Sequence, residues 1–465
     1  MKRWLTLFLS LSLALSLAAC AEKAPAPAAN EPAQNSAPVE TPQQTEAPAQ
    51  SPAEAQPEAE PQFLVARAEY PAMAQYDAEN YEPWYNERME RQEKYSLAPG
   101  AIDGFLTAAL PRLLSGADGD NRVCSPLNVY MALAMAAETA GGESRAQLLA
   151  LLDADSIETL ESRADKLWNT NYRDDGTVVS VLASSLWMRD DAPCLKGTVQ
   201  TLRDVCHASS YRGDMGDARY TQALRDWLNE QTGGQLQDAV EGVSLDPETM
   251  LELVTTIYYR AKWLEPFDAA NTAPGTFHAP GGDVECDFLH EDWANFWVFR
   301  GERFTAVQRS FENAGDMWFL LPDEGVTPEE LLSDADAVAF LCSGGNIDQA
   351  TWYYGKLALP KLDVTSDLEL SDALRALGVT DVFDPARADF SPLFENTGGV
   401  ALSGVQHAAR LVMDEEGVTA TAFTAMGYGA GGPEFEMDFI LDRPFLFKLA
   451  GEDNTPLFVG VVNQP

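Results

Sequence analysis

Two groups of residues in this 465-residue chain invite a chemical reading. The first is Ser125 and His407, which with an aspartate could form a hydrolase triad. Ser125 stands directly before Pro126 at a helix start, outside any Gly-x-Ser-x-Gly elbow and without a candidate oxyanion hole, so that reading is set aside. The second is residues 414–425, DEEGVTATAFTA, whose chemistry would be conformational. Val418, Ala420, Ala422, Thr424 and Met426 alternate with Thr419, Thr421, Phe423 and Ala425, a strand pattern built mostly of small side chains. It runs straight into Gly427, Tyr428, Gly429, Ala430, Gly431, Gly432 and Pro433, the composition of an exposed loop. A segment that is soluble outside a sheet and also fits inside one is a spare strand.

Such a strand can enter a sheet only if its buried residues are small or apolar, because a desolvated charge costs several kcal/mol. Val418, Ala420, Ala422 and Met426 meet that need, Thr424 can hydrogen-bond locally, and no charged residue occurs from Val418 to Pro433. Glu415, Glu416 and Gly417 mark the turning point, with glycine permitting unusual dihedrals.

The elements that would receive it can be read from periodicity. Apolar residues at three- and four-residue spacing predict helices over 101–114 (interrupted at Pro111), 126–139, 144–152 and 157–169. Alternating or β-branched runs predict strands over 178–188, 250–260, 306–310, 317–321, 352–359 and 401–413. Helices gathered early and strands late indicate an α+β fold. Residues 250–259, nearly continuously apolar (MLELVTTIYY), read as a strand covered on both faces, and Trp263 follows it.

Several motifs, in order, resemble the serpin family. They are NRVCSPLNVYMALAM (121–135), LRDWLNEQTGGQL (224–236), LVTTIYYRAKWLEPF (253–267), LPKL (359–362), LRALGV (374–379) with VF (382–383), ADFS (388–391), LSGVQH (402–407) and PLFVGVVN (456–463). The resemblance runs from about Pro99 to Pro465 and implies helices packed around three β-sheets, with a mobile reactive-centre loop near the C-terminus. It implies a suicide inhibitor of serine proteases that uses no cofactor or metal and is not itself an enzyme. A protease cuts the loop and is held as an acyl-enzyme, then the hinge, Glu415 to Thr424, inserts into the central sheet. A gain of roughly ten backbone hydrogen bonds at about 1 kcal/mol each would match a protease's own stability. The alternative is a non-inhibitory binding or chaperone-like module.

The usual hinge length, counted from Gly417, puts the residue before the cut at about Gly431, with Tyr428, Gly429 or Ala430 as alternatives and Gly432 beside them. Small residues there suit an elastase- or subtilisin-like target, cutting after Tyr428 suits a chymotrypsin-like one, and the absence of Lys or Arg disfavours a trypsin-like one. Ser125, Asn128, Thr255 and His407 match the family's shutter and Trp263 its breach. The family usually has Ser where Asn128 stands and Asn where Thr255 stands. That exchange predicts that Asn128 supplies the amide that Thr255 lacks and keeps His407 hydrogen-bonded.

With 72 acidic against 31 basic residues the chain carries a formal charge of −41, which argues against nucleic acid or anionic lipid as its main partner. Residues 1–19 read as a signal peptide ending in a lipobox, and Cys20 as a lipidated first residue of the mature chain. The Pro/Ala/Glu/Gln-rich residues 20–62 read as a disordered tether, 63–98 as an N-terminal extension and 99–465 as the serpin-like domain. The expectation is a monomer anchored at the bacterial cell envelope and facing outward. Cys124, Cys194, Cys206, Cys286 and Cys342 are expected to be free, since Cys194 and Cys206 flank a helix too long to bridge.

Overall fold

The computed structural model describes residues 62–191, 193–234, 239–343, 349–395, 399–418 and 435–465. Cys20, Thr419 to Ala422, Thr424 and Tyr428 to Gly432 lie outside them, so the lipidation site, most of the hinge and the scissile region have no structural description.

Two sheets dominate. The first, eight-stranded, has the order Leu64–Ala66, Ala208–Gly213, Val179–Arg189, Leu251–Lys262, Gly417–Val418, Gly404–Met413 and Leu362–Glu369, with Arg173–Asp174 on the flank of Val179–Arg189. The second, ten-stranded, runs Phe435–Glu436, Thr351–Pro360, Gly282–Arg300, Phe304–Ser310, Asp316–Pro322, Phe445–Ala450, Pro456–Val462 and Arg122–Cys124, with two short flanking strands. The 19-residue strand Gly282–Arg300 joins two of the three expected sheets into one continuous ladder.

Strand Leu251–Lys262, called the inner strand below, is buried almost throughout because both its faces are covered. Leu253 and Ile257 point into the main core, which contains every apolar residue of the deeply buried helix Pro126–Thr139 except Ala132. Val254 points the other way, into a smaller cluster with Trp187, Tyr220 and Trp227, where helix Ala218–Gln231 crosses the sheet. Helix Pro126–Thr139 starts sharply: Pro126 fixes the first turn, and the Ser125 hydroxyl accepts the Asn128 N–H at 3.2 Å.

One helix departs from expectation. Asp103–Leu114 is continuous, with Pro111 inside it. Pro111 has no N–H to give the carbonyl one turn back, and burial of Leu106, Leu110, Leu113 and Leu114 offsets that loss.

The extension is part of the packed body. Leu64–Ala66 adds an antiparallel edge strand against Ala208–Gly213. The Tyr70 ring stacks 5.6 Å from Tyr172 and 5.9 Å from Trp168, and its hydroxyl donates to Gln231 at 2.7 Å. Helix Glu82–Tyr95 docks through Trp84, whose indole N–H donates to buried Asp175 at 2.9 Å. All five cysteines among the described residues are free thiols.

Candidate functional site

The site is an interval in the first sheet between the inner strand and Gly404–Met413, called the hinge strand because it leads into Asp414. In the lower half the two strands pair in parallel, from Gly404 opposite Glu252 to Ala408 opposite Thr256. That pairing stops there. In the upper half Val418 lies between them, opposite Ala261 on one side and Met413 on the other. Val418 is buried and belongs to the main core.

A tight turn delivers Val418 to this position. The Asp414 carboxylate accepts the backbone N–H of Glu416 at 2.9 Å and of Gly417 at 3.2 Å, and the Asp414 N–H donates to the Gly417 carbonyl at 2.9 Å. Burial, followed by the neighbouring Glu415 charge, pushes the Asp414 pKa up, while the two backbone donors act against it. Gly417 is required by close approach: with φ at +155°, an added Cβ would lie 2.2 Å from the Ala261 carbonyl oxygen.

Trp263 holds the turn from the inner strand. Its backbone N–H donates to the Glu416 carbonyl at 2.9 Å and its indole N–H to the Asp414 carbonyl at 3.0 Å, and Phe267 N–H donates to Glu415 at 2.9 Å. The indole is fixed by stacking on Phe311, with ring centroids 4.6 Å apart. Glu415 turns outward, accepting from Lys361 Nζ at 2.9 Å and from the Thr272 hydroxyl at 2.7 Å. Burial works against the Glu415 charge, but these donors win and its pKa falls below the ordinary value. Glu416 Oε2 is buried with no partner among the described residues.

The lower half is organised around His407, which is fully buried. Its Nε2 accepts the Ser125 backbone N–H at 2.9 Å, so the neutral ring carries its proton on Nδ1 and donates it to the Thr255 hydroxyl, also 2.9 Å away. Burial pushes the His407 pKa down to about 4. The expected exchange is corrected here: the Asn128 amide donates to the Thr256 carbonyl instead of to His407, and Asn128 Oδ1 has no partner among the described residues. The reason is geometric. The Ser125 backbone and Thr255 side chain already occupy both ring nitrogens. Thr256 then closes the seam, donating its hydroxyl to Ala408 O at 3.1 Å.

The triad reading fails on the same geometry, because His407 meets the Ser125 backbone N–H while the Ser125 hydroxyl caps its own helix. The structure thus gathers Ser125, Asn128, Thr255 and His407 below, and Trp263 with Glu415, Glu416, Gly417 and Val418 above. Sequence reasoning missed Lys361, Thr272, Phe311 and the capping role of Asp414. Of these, only Asp414 carried a local signal, an acidic side chain three residues before a glycine at a turning point.

The family model described as "Serpin (serine protease inhibitor)" matches residues 102–465. Serpin-ZXA of Oryza sativa subsp. japonica is 29% identical over 77% of this chain and 94% of its own length. Plasminogen activator inhibitor 1 of Bos taurus is 25% identical over 82% of this chain and 96% of its own. Among solved structures, the thermophilic serpin tengpin in its native state superposes with a TM-score of 0.70 at 23% identity, covering 86% of this chain and 98% of that one.

Proposed function

The chain belongs to the serpin family, and from that membership we propose that it traps a serine protease as a suicide substrate. The observation that carries this reading is the seating of Val418. The first residue of the spare strand already lies between the inner and hinge strands, at the top of an interval whose lower half is zipped shut. A strand so begun can continue downward once its far end is released. The protease supplies that release: its serine oxygen bonds to the carbonyl carbon before the cut, the peptide bond breaks, and the leaving nitrogen becomes a new amino terminus. The residues after Val418 then enter the sheet and carry the ester-linked protease with them. No charge from Thr419 to Pro433 opposes their burial. Roughly ten new ladder bonds at about 1 kcal/mol each are enough to deform a partner of ordinary stability.

The cut is placed within Tyr428 to Gly432, which suits an elastase- or subtilisin-like target. The protein is taken to act as a monomer, held at the bacterial envelope through a lipid on Cys20 with residues 21–62 as tether. Incubation with a panel of elastase-, subtilisin- and chymotrypsin-like enzymes tests the core of this. The expected result is a complex that survives boiling in SDS, at a stoichiometry near one. Clean cleavage of the loop with no such complex from any enzyme would replace inhibitor by binding module.

A further inference from the structure

Two tryptophans stand out on the surface of the second sheet: Trp293 is 73% exposed and Trp297 39%. Along strand Gly282–Arg300, residues 293, 295 and 297 face solvent while Ala294, Phe296 and Val298 are buried beneath. The neighbouring strand Thr351–Pro360 sets Trp352 opposite Trp297 and Tyr354 opposite Asn295, on the same outer face. The rings form two stacked pairs: Trp297 with Trp352 at 6.1 Å and 22°, and Trp293 with Tyr354 at 6.3 Å and 18°. An outer sheet face ordinarily carries polar residues, and this one presents three indoles and a phenol. The strand that carries the tryptophans is packed on the core through Ala294, Phe296 and Val298, which limits the backbone ordering that binding would cost.

We infer that this aromatic face is a docking surface for the protease that cuts the loop, engaged before the cut. The inference rests on the inhibitory reading above. Chain length gives the reason for choosing this occupant. Phe435–Glu436 pairs in parallel with Tyr353 and Tyr354, so the sheet carrying the aromatic face is the one into which the chain runs directly after residue 434. At ~3.3–3.6 Å per residue, Gly432 lies at most about 10 Å from Phe435 and Tyr428 at most about 25 Å. A protease domain of ~200 residues has a radius of gyration of about 16 Å, a body about 40 Å across. An enzyme with its active site on any bond from Tyr428 to Gly432 is therefore within reach of the sheet end that carries the aromatic face. The chemistry of the contact is also specified. Tryptophan and tyrosine are the side chains that anchor protein interfaces, and exposed Asp292 and Glu436 flank them on a chain of net charge −41. The matching enzyme surface is apolar beside its active-site cleft, with a basic rim.

The test is the double substitution Trp293→Ser with Trp297→Ser, both on exposed side chains remote from the hinge, assayed against an enzyme that the unaltered protein traps. The apparent second-order rate constant should fall about tenfold or more, as expected for loss of interface anchors. Stoichiometry, the bond cut and the melting temperature should not change. An unchanged rate constant with a normal stable complex overturns the docking surface and leaves the inhibitory reading intact. Failure of the unaltered protein to trap any enzyme overturns both. Normal trapping by the double variant, with loss of retention on insoluble polysaccharide or of self-association, reassigns the face to a glycan or a second copy and likewise overturns the inference.

Discussion

The two halves of the sheet interval are closed by different physics. The lower half is sealed by neutral groups away from water: the His407 ring between the Ser125 backbone and Thr255, and Thr256 bonded to Ala408. The upper half is held at the surface by a charged turn, with the Asp414 carboxylate on two backbone N–H groups and Glu415 on Lys361. Buried hydrogen bonds are costly to break and indifferent to salt, whereas surface ion pairs are weak and screened. The difference teaches a division of labour. The lower seam sets how firmly the native form is kept, and the upper turn sets how easily strand entry begins.

The largest effect should come from breaking the lower seam. His407→Leu keeps the volume but strands a buried donor at Ser125 and the Thr255 hydroxyl, a loss of about 2–5 kcal/mol visible as a lower melting temperature. The same variant should change the pH profile. A histidine whose folded pKa is depressed gives stability that is complete above 6.5 and is lost as pH falls toward 4, because the unfolded chain takes up the proton first. The unaltered protein should therefore lose about 3 kcal/mol more than the variant between pH 7 and pH 4. Parallel denaturant midpoints for the two proteins across that window would end the assignment to His407.

Gly417→Ala attacks the upper half. With a Cβ 2.2 Å from the Ala261 carbonyl, the turn must shift and Val418 must leave its seat. The expected signature is kinetic: more protein cleaved than trapped, the stoichiometry rising several-fold, with a smaller fall in melting temperature than His407→Leu gives. A larger thermal loss than that of His407→Leu would reverse the proposed division between the halves.

Much of this arrangement was legible because it rests on local patterns. The near-continuous apolar run placed the inner strand within two residues of its observed ends, and Glu415, Glu416 and Gly417 marked the turn. What stayed hidden depends on which distant residues meet. Asn128 was assigned to His407 from the exchange of residue types at two family positions, yet its direction is decided by a carbonyl at Thr256, 128 residues away. The extension had aromatic residues but no periodicity. Its partners Trp168, Tyr172 and Asp175 are on a helix and turn that only the fold brings near. Strand Gly282–Arg300 was missed because its outer face carries Trp293 and Trp297, which blurs the apolar-in, polar-out alternation.

The foot of the lower seam contains a group that opposes it. Glu252, opposite Gly404, is buried, and this, then the charges of Glu369 and Asp367, pushes its pKa up to about 7. A carboxyl with a raised folded pKa favours the native state when protonated, and that advantage fades as pH rises from 4.5 through 7. Glu252→Gln should therefore stabilise the protein at pH 8 by about 1–3 kcal/mol and have little effect at pH 5. Equal effects at both pH values would show that the amide packs better and that charge plays no part.

The smallest effect belongs to the outermost contact. The Lys361 side chain is 38% exposed and that of Glu415 16%, so their 2.9 Å pair is partly solvated. Lys361→Met keeps the stem that covers the turn and deletes only the charge. Its cost should be about 0.5 kcal/mol in low salt and should vanish near 1 M salt, where screening acts within ~3 Å. The Thr272 hydroxyl would still hold Glu415 after the substitution, which is why the loss is small. Salt should leave the penalty of His407→Leu untouched, since no ion reaches a fully buried ring. Matching salt dependence in the two variants would mean that the halves are coupled through the hinge strand and open as one unit.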